Sequence, residues 1–294
     1  MQIQNPLVSI ITVNYRQAAM TCELLDSIQS NTYKNVEIIV VDNGSQQDFT
    51  VEFQKHTPSV KTLISAENLG FAGGNNLGIK EATGDFLFFV NNDTVFTEGL
   101  IENLLARFNE KETIGAVSPK IRYHATPNII QYAGFTEINK LTGRNETIGK
   151  DETDNGQHNT ARATPYAHGA AMMVKKEALS KAGVMPEQFF LYYEELDWCC
   201  RIRQAGFEIW YEPNAVIYHK ESASVGKLSP LKVYYQNRNR LLFMKRNTHS
   251  LPHLSLFLTY FYTITYPLKS LTWLFKKDFP NFLAFQKAAW GLKL

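Results

Sequence analysis

A chain of 294 residues, 44% apolar and 20% charged, has the make-up of a soluble globular protein with ample core, in one large domain or two unequal ones. Three cysteines (Cys22, Cys199, Cys200) exclude a disulfide framework and suit a reducing compartment, and residues 1–10 show no secretory signal. The net charge of +2 hides a division: residues 220–294 hold twelve Lys and Arg against two acids, a surplus of ten, so the rest of the chain is acidic by eight.

Residues 7–14 (LVSIITVN) are a β-branched run of strand length with a polar end at Asn14, Tyr15 and Arg16. Residues 19–30 have helical spacing, with Leu24, Leu25 and Ile28 as the buried stripe. Residues 36–41 (VEIIVV) predict a second strand that ends in Asp42-Asn43-Gly44-Ser45. Strand, helix and strand at this length make a βαβ unit with a parallel sheet. A third strand is predicted over 60–64. It leads into a glycine-rich loop, Asn68 to Asn76, whose Gly70, Gly73 and Gly74 let backbone approach a ligand at the start of a helix over 76–82. No Gly-Lys-Ser/Thr follows, which excludes a P-loop, and no GxGxxG follows the first strand, which argues against a dinucleotide fold.

Residues 86–90 (FLFFV) are apolar throughout, the pattern of a strand buried on both faces, and end in Asn91-Asn92-Asp93. Three successive strands thus bring Asn14, Asp42 and residues 91–93 to the carboxyl edge of a parallel sheet, where such sheets bind ligands. Asp93 has two readings. It holds a divalent cation carrying a phosphorylated donor, or it closes an Asx turn and caps a helix starting near Glu98. An amphipathic helix over 100–108 and a short strand over 115–119 follow. Residues 122–165 are polar with little periodicity and predict a long, partly mobile insertion near the site.

Residues 166–174 (YAHGAAMMV) predict another buried strand, and 176–182 a helix stopped by Gly183. Residues 189–198 (FFLYYEELDW) set Glu194, Glu195 and Asp197 behind an aromatic wall, at the N-terminus of a helix that runs through Gln204. Acids there favour the helix dipole. Like charges this close to apolar rings also raise at least one carboxyl pKa, which suits a general base. Residues 207–211 and 215–218 predict the last two strands. His219 ends the second, as Asp93 ends its own, which makes it a candidate second ligand to the same metal.

Residues 230–246 carry Tyr234, Tyr235, Arg238, Asn239, Arg240, Lys245 and Arg246 in helical register. Residues 251–275 are strongly apolar but broken by Pro252, His253, Pro267 and Lys269, so no uninterrupted span of about 20 apolar residues is present. This predicts a helix lying in a membrane interface, with Lys276 and Lys277 on lipid phosphates. Helices packed on the catalytic domain, or in a homodimer, are the alternative. Anionic lipid ranks above nucleic acid as partner, because the aromatics cluster with aliphatics rather than in a stacking groove.

Taken together, VSIITVNY (8–15), IIVVDNGS (38–45), NLGFAGGNN (68–76), FLFFVNNDT (86–94), HGAAMMV (168–174), FFLYYEELDWCCRIRQAGF (189–207) and His219 resemble the inverting family 2 glycosyltransferases of the GT-A fold, especially rhamnosyltransferase-like members. The resemblance covers roughly residues 7 to 240. It implies a mainly parallel sheet flanked by helices, in a catalytic domain over 1–226, with a helical extension over 227–294.

By the same resemblance, Asn14 and Asp42, with Tyr15 beside them, contact the nucleobase and ribose of a nucleotide-sugar. Asn68, Gly73 and Asn76 line the nucleotide and diphosphate. Asn91-Asn92-Asp93 stands where the family has DxD, so Asp93 binds Mg²⁺ or Mn²⁺, with His219 completing the shell, and Asn91 replaces the first Asp. Glu195 is the implied base, with Asp197 as an alternative and Glu194 beside them. The implied reaction moves rhamnose from a dTDP donor, or a hexose from UDP, to a glycan or polyprenyl-diphosphate-linked acceptor on the cytoplasmic membrane face. A sugar-1-phosphate nucleotidyltransferase and a non-catalytic glycan-binding module are the competing readings.

Overall fold

In the computed structural model, residues 5–220 and 229–291 are described. In chain order the elements are β1 (Val8–Asn14), α1 (Ala18–Gln29), β2 (Val36–Asn43), α2 (Thr50–His56), β3 (Lys61–Ser65), α3 (Gly70–Glu81), β4 (Phe86–Val90), β5 (Thr94–Phe96), α4 (Leu100–Phe108) and β6 (Ile114–Tyr123). Then come β7 (Ile130–Tyr132), β8 (Arg162–Ala163), β9 (Ala171–Lys175), α5 (Lys176–Ala182), α6 (Glu194–Gln204) and β10 (Glu208–His219). Four helices follow: α7 (Pro230–Asn247), α8 (Leu251–Tyr260), α9 (Tyr266–Phe275) and α10 (Phe279–Trp290). A π-turn, Phe261–Thr265, joins α8 to α9.

The strands form one ten-stranded sheet in the order β3-β2-β1-β4-β9-β6-β10-β5, with β7 on β6 and β8 on β10. The half from β3 to β4 is parallel, with Asn14 opposite Asp42. Past β4 the sheet is mixed: β9 runs antiparallel to β4 and β6, β10 parallel to β6, and β5 antiparallel to β10. All five residues of β4 are buried, and successive side chains face opposite layers. Phe88 packs with Leu24, Leu25 and Leu104 on one face. Phe89 packs with Trp198, Phe243, Phe257 and Phe285 on the other. Truncating Phe89 to Ala would leave a cavity and cost about 4 kcal/mol. The C-terminal helices therefore share a core with the sheet. Among the described residues no helix is long and apolar enough to cross a membrane. The boundary expected at 226/227 lies outside the described residues.

Several expectations are corrected. The segment read as a glycine-rich loop is the first half of α3, which begins at Gly70. Its glycines serve packing: a Cβ on Gly74 would sit 2.9 Å from Val13 Cγ1, and one on Gly78 would run into Ile11. Sequence cannot separate this use of glycine from a flexible loop, because both need a missing side chain. The two last strands are one, β10, with a register shift between Glu212 and Val216. The strand expected over 166–174 begins only at Ala171. The insertion at 122–165 is pinned by β7, β8 and isolated bridges at Ile129–Thr153, Phe135–Thr147 and Asn139–Arg144. Buried Lys120 bonds Asp154 at 2.9 Å and Asn159 at 2.7 Å, which holds the insertion to β6.

Candidate active site

The pairing of β5 with the end of β10 sets Thr94 opposite His219. One short ladder thus brings together two residues more than a hundred positions apart. His219 Nε2 lies 3.0 Å from Asp93 Oδ1. His219 Nδ1 lies 2.8 Å from Gln131 Oε1 on β7. An amide oxygen can only accept, so Nδ1 carries a proton, and Nε2 is the nitrogen turned to the carboxylate. Asp93 Oδ1 is buried and receives no hydrogen bond. With a neutral ring, Nε2 and Asp93 Oδ1 at this distance would fit a shared cation, and the bond to Gln131 orients the imidazole. Among the described residues no group of three His, Cys, Asp or Glu side chains gathers for a metal. Among the described residues two side chains are placed to serve as ligands, which would suit an ion that takes the rest of its shell from phosphates and water. Asp93 caps no helix, since α4 begins at Leu100 behind Gly99, whose φ is 72°.

Beside this pair a cleft of about 220 Å³ is walled by Tyr15, Asn43, Asn68, Asn91, Asn92 and Asp93, with Phe190 and Leu191 opposite. Asn14 and Asp42 stand just behind it, fully buried. Asn14 Nδ2 donates to Asp42 Oδ2 at 2.7 Å, its Oδ1 accepts from Thr21 Oγ1 at 3.0 Å, and Asp42 Oδ1 accepts from Ser45 N at 3.0 Å. They are spent on each other and brace the cleft wall. Asn43, which the sequence reading passed over, accepts from Leu69 N at 3.0 Å and donates to Asn68 Oδ1 at 3.1 Å, tying β2 to the start of α3. Asn76 does not reach the cleft: it bonds Met185 O, Met185 N and Glu187 Oε1 at 2.8–3.0 Å. Gly73 does not reach it either, and faces Leu69.

The third part of the site is the turn before α6. Phe190, Tyr192 and Tyr193 hold φ of 63°, 69° and 74°, a left-handed backbone that bulky side chains rarely adopt. The turn is fixed from two sides. Asn239 Nδ2 on α7 lies within 2.8 Å of the carbonyls of Phe189, Leu191 and Tyr192. Phe71 N donates to Phe190 O at 2.7 Å, a contact Gly70 permits because a Cβ there would collide with that carbonyl.

The strain places Glu194 and Glu195 at the first turn of α6, each with a buried Oε2 that has no partner. Burial pushes the Glu195 carboxyl up to about 7. Burial, and then the charge of Glu195, push Glu194 well above the ordinary carboxylate range. Asp197 is differently placed: it is 1% exposed and takes Arg246 Nε at 2.9 Å and Asn247 Nδ2 at 2.8 Å. It is an anchor between α6 and α7.

The turn at 168–170 links the carboxylates to the Asp93–His219 pair. A Cβ on Gly169 would lie 3.7 Å from Glu195 Cδ, and Asn91 N donates to Ala170 O at 3.0 Å. The His168 ring stacks on Phe135 and sits 6.3 Å from the ring of His219. Burial and the nearby His219 push His168 down to about 3, so it is a neutral spacer.

The family model described as Glycosyl transferase family 2 matches residues 9–183, which hold the lining of the cleft apart from Phe190, Leu191 and Leu231. The chain belongs to glycosyltransferase family 2. Among relatives, a low-salt glycan biosynthesis hexosyltransferase of Haloferax volcanii is 26% identical over 80% of this chain and 74% of its own. An N-acetylglucosaminyl-diphospho-decaprenol L-rhamnosyltransferase of Mycobacterium tuberculosis is 22% identical over 74% of this chain and 77% of its own. Among solved structures, a mannosyltransferase of Pyrobaculum calidifontis, in complex with GDP-Man and Mn²⁺, superposes with a TM-score of 0.61 at 18% identity over 98% of this chain and 87% of that one. TarS 1–349 of S. aureus with UDP-GlcNAc gives 0.60 at 18% identity over 96% and 81%. The fold is GT-A, and the protein is a glycosyltransferase. Three residues of this glycosyltransferase's site carried no motif signal of their own: Gln131 in the insertion, and Asn43 and Asn239, each noticed only as part of a longer run.

Proposed function

We propose that this glycosyltransferase is an inverting hexosyltransferase using a nucleotide-sugar, with dTDP-rhamnose the first donor to test and UDP-hexoses next, on a glycan or lipid-diphosphate-linked acceptor in cell-surface polysaccharide synthesis. One observation carries the reading: a Glu195 carboxyl with an unpartnered Oε2, pushed by burial up to about 7, stands across the 168–170 turn from the close pair of Asp93 Oδ1 and His219 Nε2. Asp93 and His219 would hold Mg²⁺ or Mn²⁺, which supplies positive charge to the departing diphosphate. Tyr15, Asn43, Asn68, Asn91 and Asn92 orient the donor, with Asn14 and Asp42 bracing them from behind. Glu194, pushed well above the ordinary carboxylate range, lies beside Glu195, which titrates near neutrality. Glu195 accepts the proton of the acceptor hydroxyl as that oxygen bonds to the anomeric carbon, the bond from that carbon to the diphosphate breaks, and the configuration inverts.

The relative named as a rhamnosyltransferase, and its diphospho-decaprenol acceptor, support the choice of donor and acceptor class. Exposed Leu256, Leu271, Phe275, Phe279 and Leu283 on α8–α10, close to Lys276 and Lys277, support a peripheral position on the inner face of the plasma membrane; a homodimer through the same helices is the competing use of that surface. Donor hydrolysis is measured across a panel of nucleotide-sugars with each metal, followed by product analysis. Release of diphosphate from a nucleoside triphosphate and sugar phosphate, with no sugar transfer, would sink the proposal.

A further inference from the structure

Phe190 and Leu191 wall the donor cleft, while the next residues, Tyr192, Tyr193 and Glu195, wall a second cavity of about 310 Å³. Arg144, Asn145, Arg240 and Lys269 close it, and the same four residues border a larger cavity of about 870 Å³ under α8 and α9. Arg240 is 3% exposed, yet its Nε and Nη2 are buried with no acceptor, and Asn145 Nδ2 is in the same state. Lys269 Nζ reaches a neutral oxygen, Asn237 Oδ1 at 3.1 Å, and lies over the Phe285 ring as the Arg240 guanidinium lies over that of Phe261; both partners are neutral. Among the described residues no carboxylate pairs with Arg144, Arg240 or Lys269. The acids on these walls are Glu195, Glu137, which is tied to Arg203 at 2.6 Å, and Glu146 at the exposed rim.

Buried cations without counter-ions are costly, and unpartnered guanidinium donors more so. The cost shows in the groups themselves. Burial and then Arg144 push Arg240 down to about 10, and burial, Arg144 and Arg240 push Lys269 down to about 8. All the unpartnered atoms contributed by Arg240 and Asn145 are donors, so the missing ligand is an anion with several acceptor oxygens. The outlet is apolar. Ile264 and Leu268 border the larger cavity and are 45% and 60% exposed, and Leu271 and Phe275 continue the stripe along α9.

We propose that Arg144, Arg240 and Lys269 form an anion subsite on the acceptor side. It holds the phosphate or diphosphate of a lipid-linked acceptor, whose sugar hydroxyl meets Glu195 and whose chain leaves along Ile264, Leu268, Leu271 and Phe275. The acceptor role rests on Glu195 being the base.

The test is calorimetric titration of the full chain with geranyl diphosphate, geraniol and inorganic phosphate, with nucleoside diphosphate and Mn²⁺ saturating the donor cleft. Geranyl diphosphate should bind with the nucleotide in place, more tightly than either control. Arg240→Met and Lys269→Met should each weaken it by about tenfold or more, while leaving nucleotide binding unchanged. Arg144→Met, at an exposed position, gives the same readout should the buried variants fold poorly. Unchanged affinity in these variants overturns the subsite. So does displacement of geranyl diphosphate by the nucleotide, or binding of inorganic phosphate as tight as that of geranyl diphosphate. Failure of the base assignment is read separately, as full sugar transfer by Glu195→Gln.

Discussion

The two halves of the site treat polar groups in opposite ways. At the cleft edge, Asn14, Asp42, Asn43 and Asn68 are tied to one another or to backbone, and almost every buried atom has a partner. Around the α6 turn, Glu194, Glu195, Asn145 and Arg240 keep buried atoms with none. A satisfied buried network fixes geometry, whereas an unsatisfied one holds free energy that a substrate or a proton can release. Asp93 is the exception at the cleft edge, and it is the residue whose free oxygen faces His219. The contrast separates scaffold from chemistry, and substitutions on each side should behave differently.

The largest effect is expected on the unsatisfied side. Glu195→Gln should lower transfer by roughly 10³-fold while nucleotide binding stays intact, since a general base contributes on that order. In the wild type, kcat/KM should rise with pH and level off above about 7, where Glu195 is ionised. The stability sign is opposite. A carboxyl whose folded pKa lies above its ordinary 4.5 favours folding when protonated, so its contribution is fully present below 4.5 and fades as pH rises through about 7. Glu195→Gln should therefore gain in Tm over wild type at pH 8 but not at pH 4.5. Melting curves with equal differences at both values would show that Glu195 is not desolvated.

Second comes the partner of His219, in the pair proposed to hold the metal. Gln131→Met removes the acceptor that fixes the His219 tautomer and should weaken Mn²⁺-dependent nucleotide binding by roughly 10- to 100-fold. Equal loss of nucleotide binding with and without Mn²⁺ would place Gln131 in the scaffold instead.

Third is Asp197, on the satisfied side of α6. Asp197→Asn breaks the pair with Arg246 and should cost about 2 kcal/mol of stability in denaturant melts, with kcat per folded molecule unchanged. A large fall in kcat at constant stability would return Asp197 to candidacy as the base.

The same contrast explains what could be read from sequence. A doubly buried strand is a continuous apolar run, so β1, β2 and β4 and their polar ends were visible, and with them Asp42, Asn91 and Asp93. The residue types at those ends did not reveal which would line the cleft. Asn14 and Asn43 differ only in the partners the fold gives them. Gln131 and Asn239 act across long sequence separations, on His219 and on the 189–192 carbonyls, and such pairings leave no periodic trace. Arg240 read as one basic residue among many in the tail. Only burial beneath α8 and α9, with no carboxylate paired to it among the described residues, sets it apart.

The smallest expected effect sharpens the boundary at Asn91. This residue stands at the end of β4, in the cleft wall, with its backbone N–H bonded to Ala170 O. The contact between Asp93 and His219 forms without it. Asn91→Asp would add a carboxylate beside the donor diphosphate rather than between the two ligands. Without metal, like charges should weaken nucleotide binding. With saturating Mn²⁺ the two effects should nearly cancel, leaving a change of about threefold or less. Tightening beyond about tenfold in a Mn²⁺ titration would mean that position 91 enters the metal shell, and that the protein gains affinity from a side chain it has replaced.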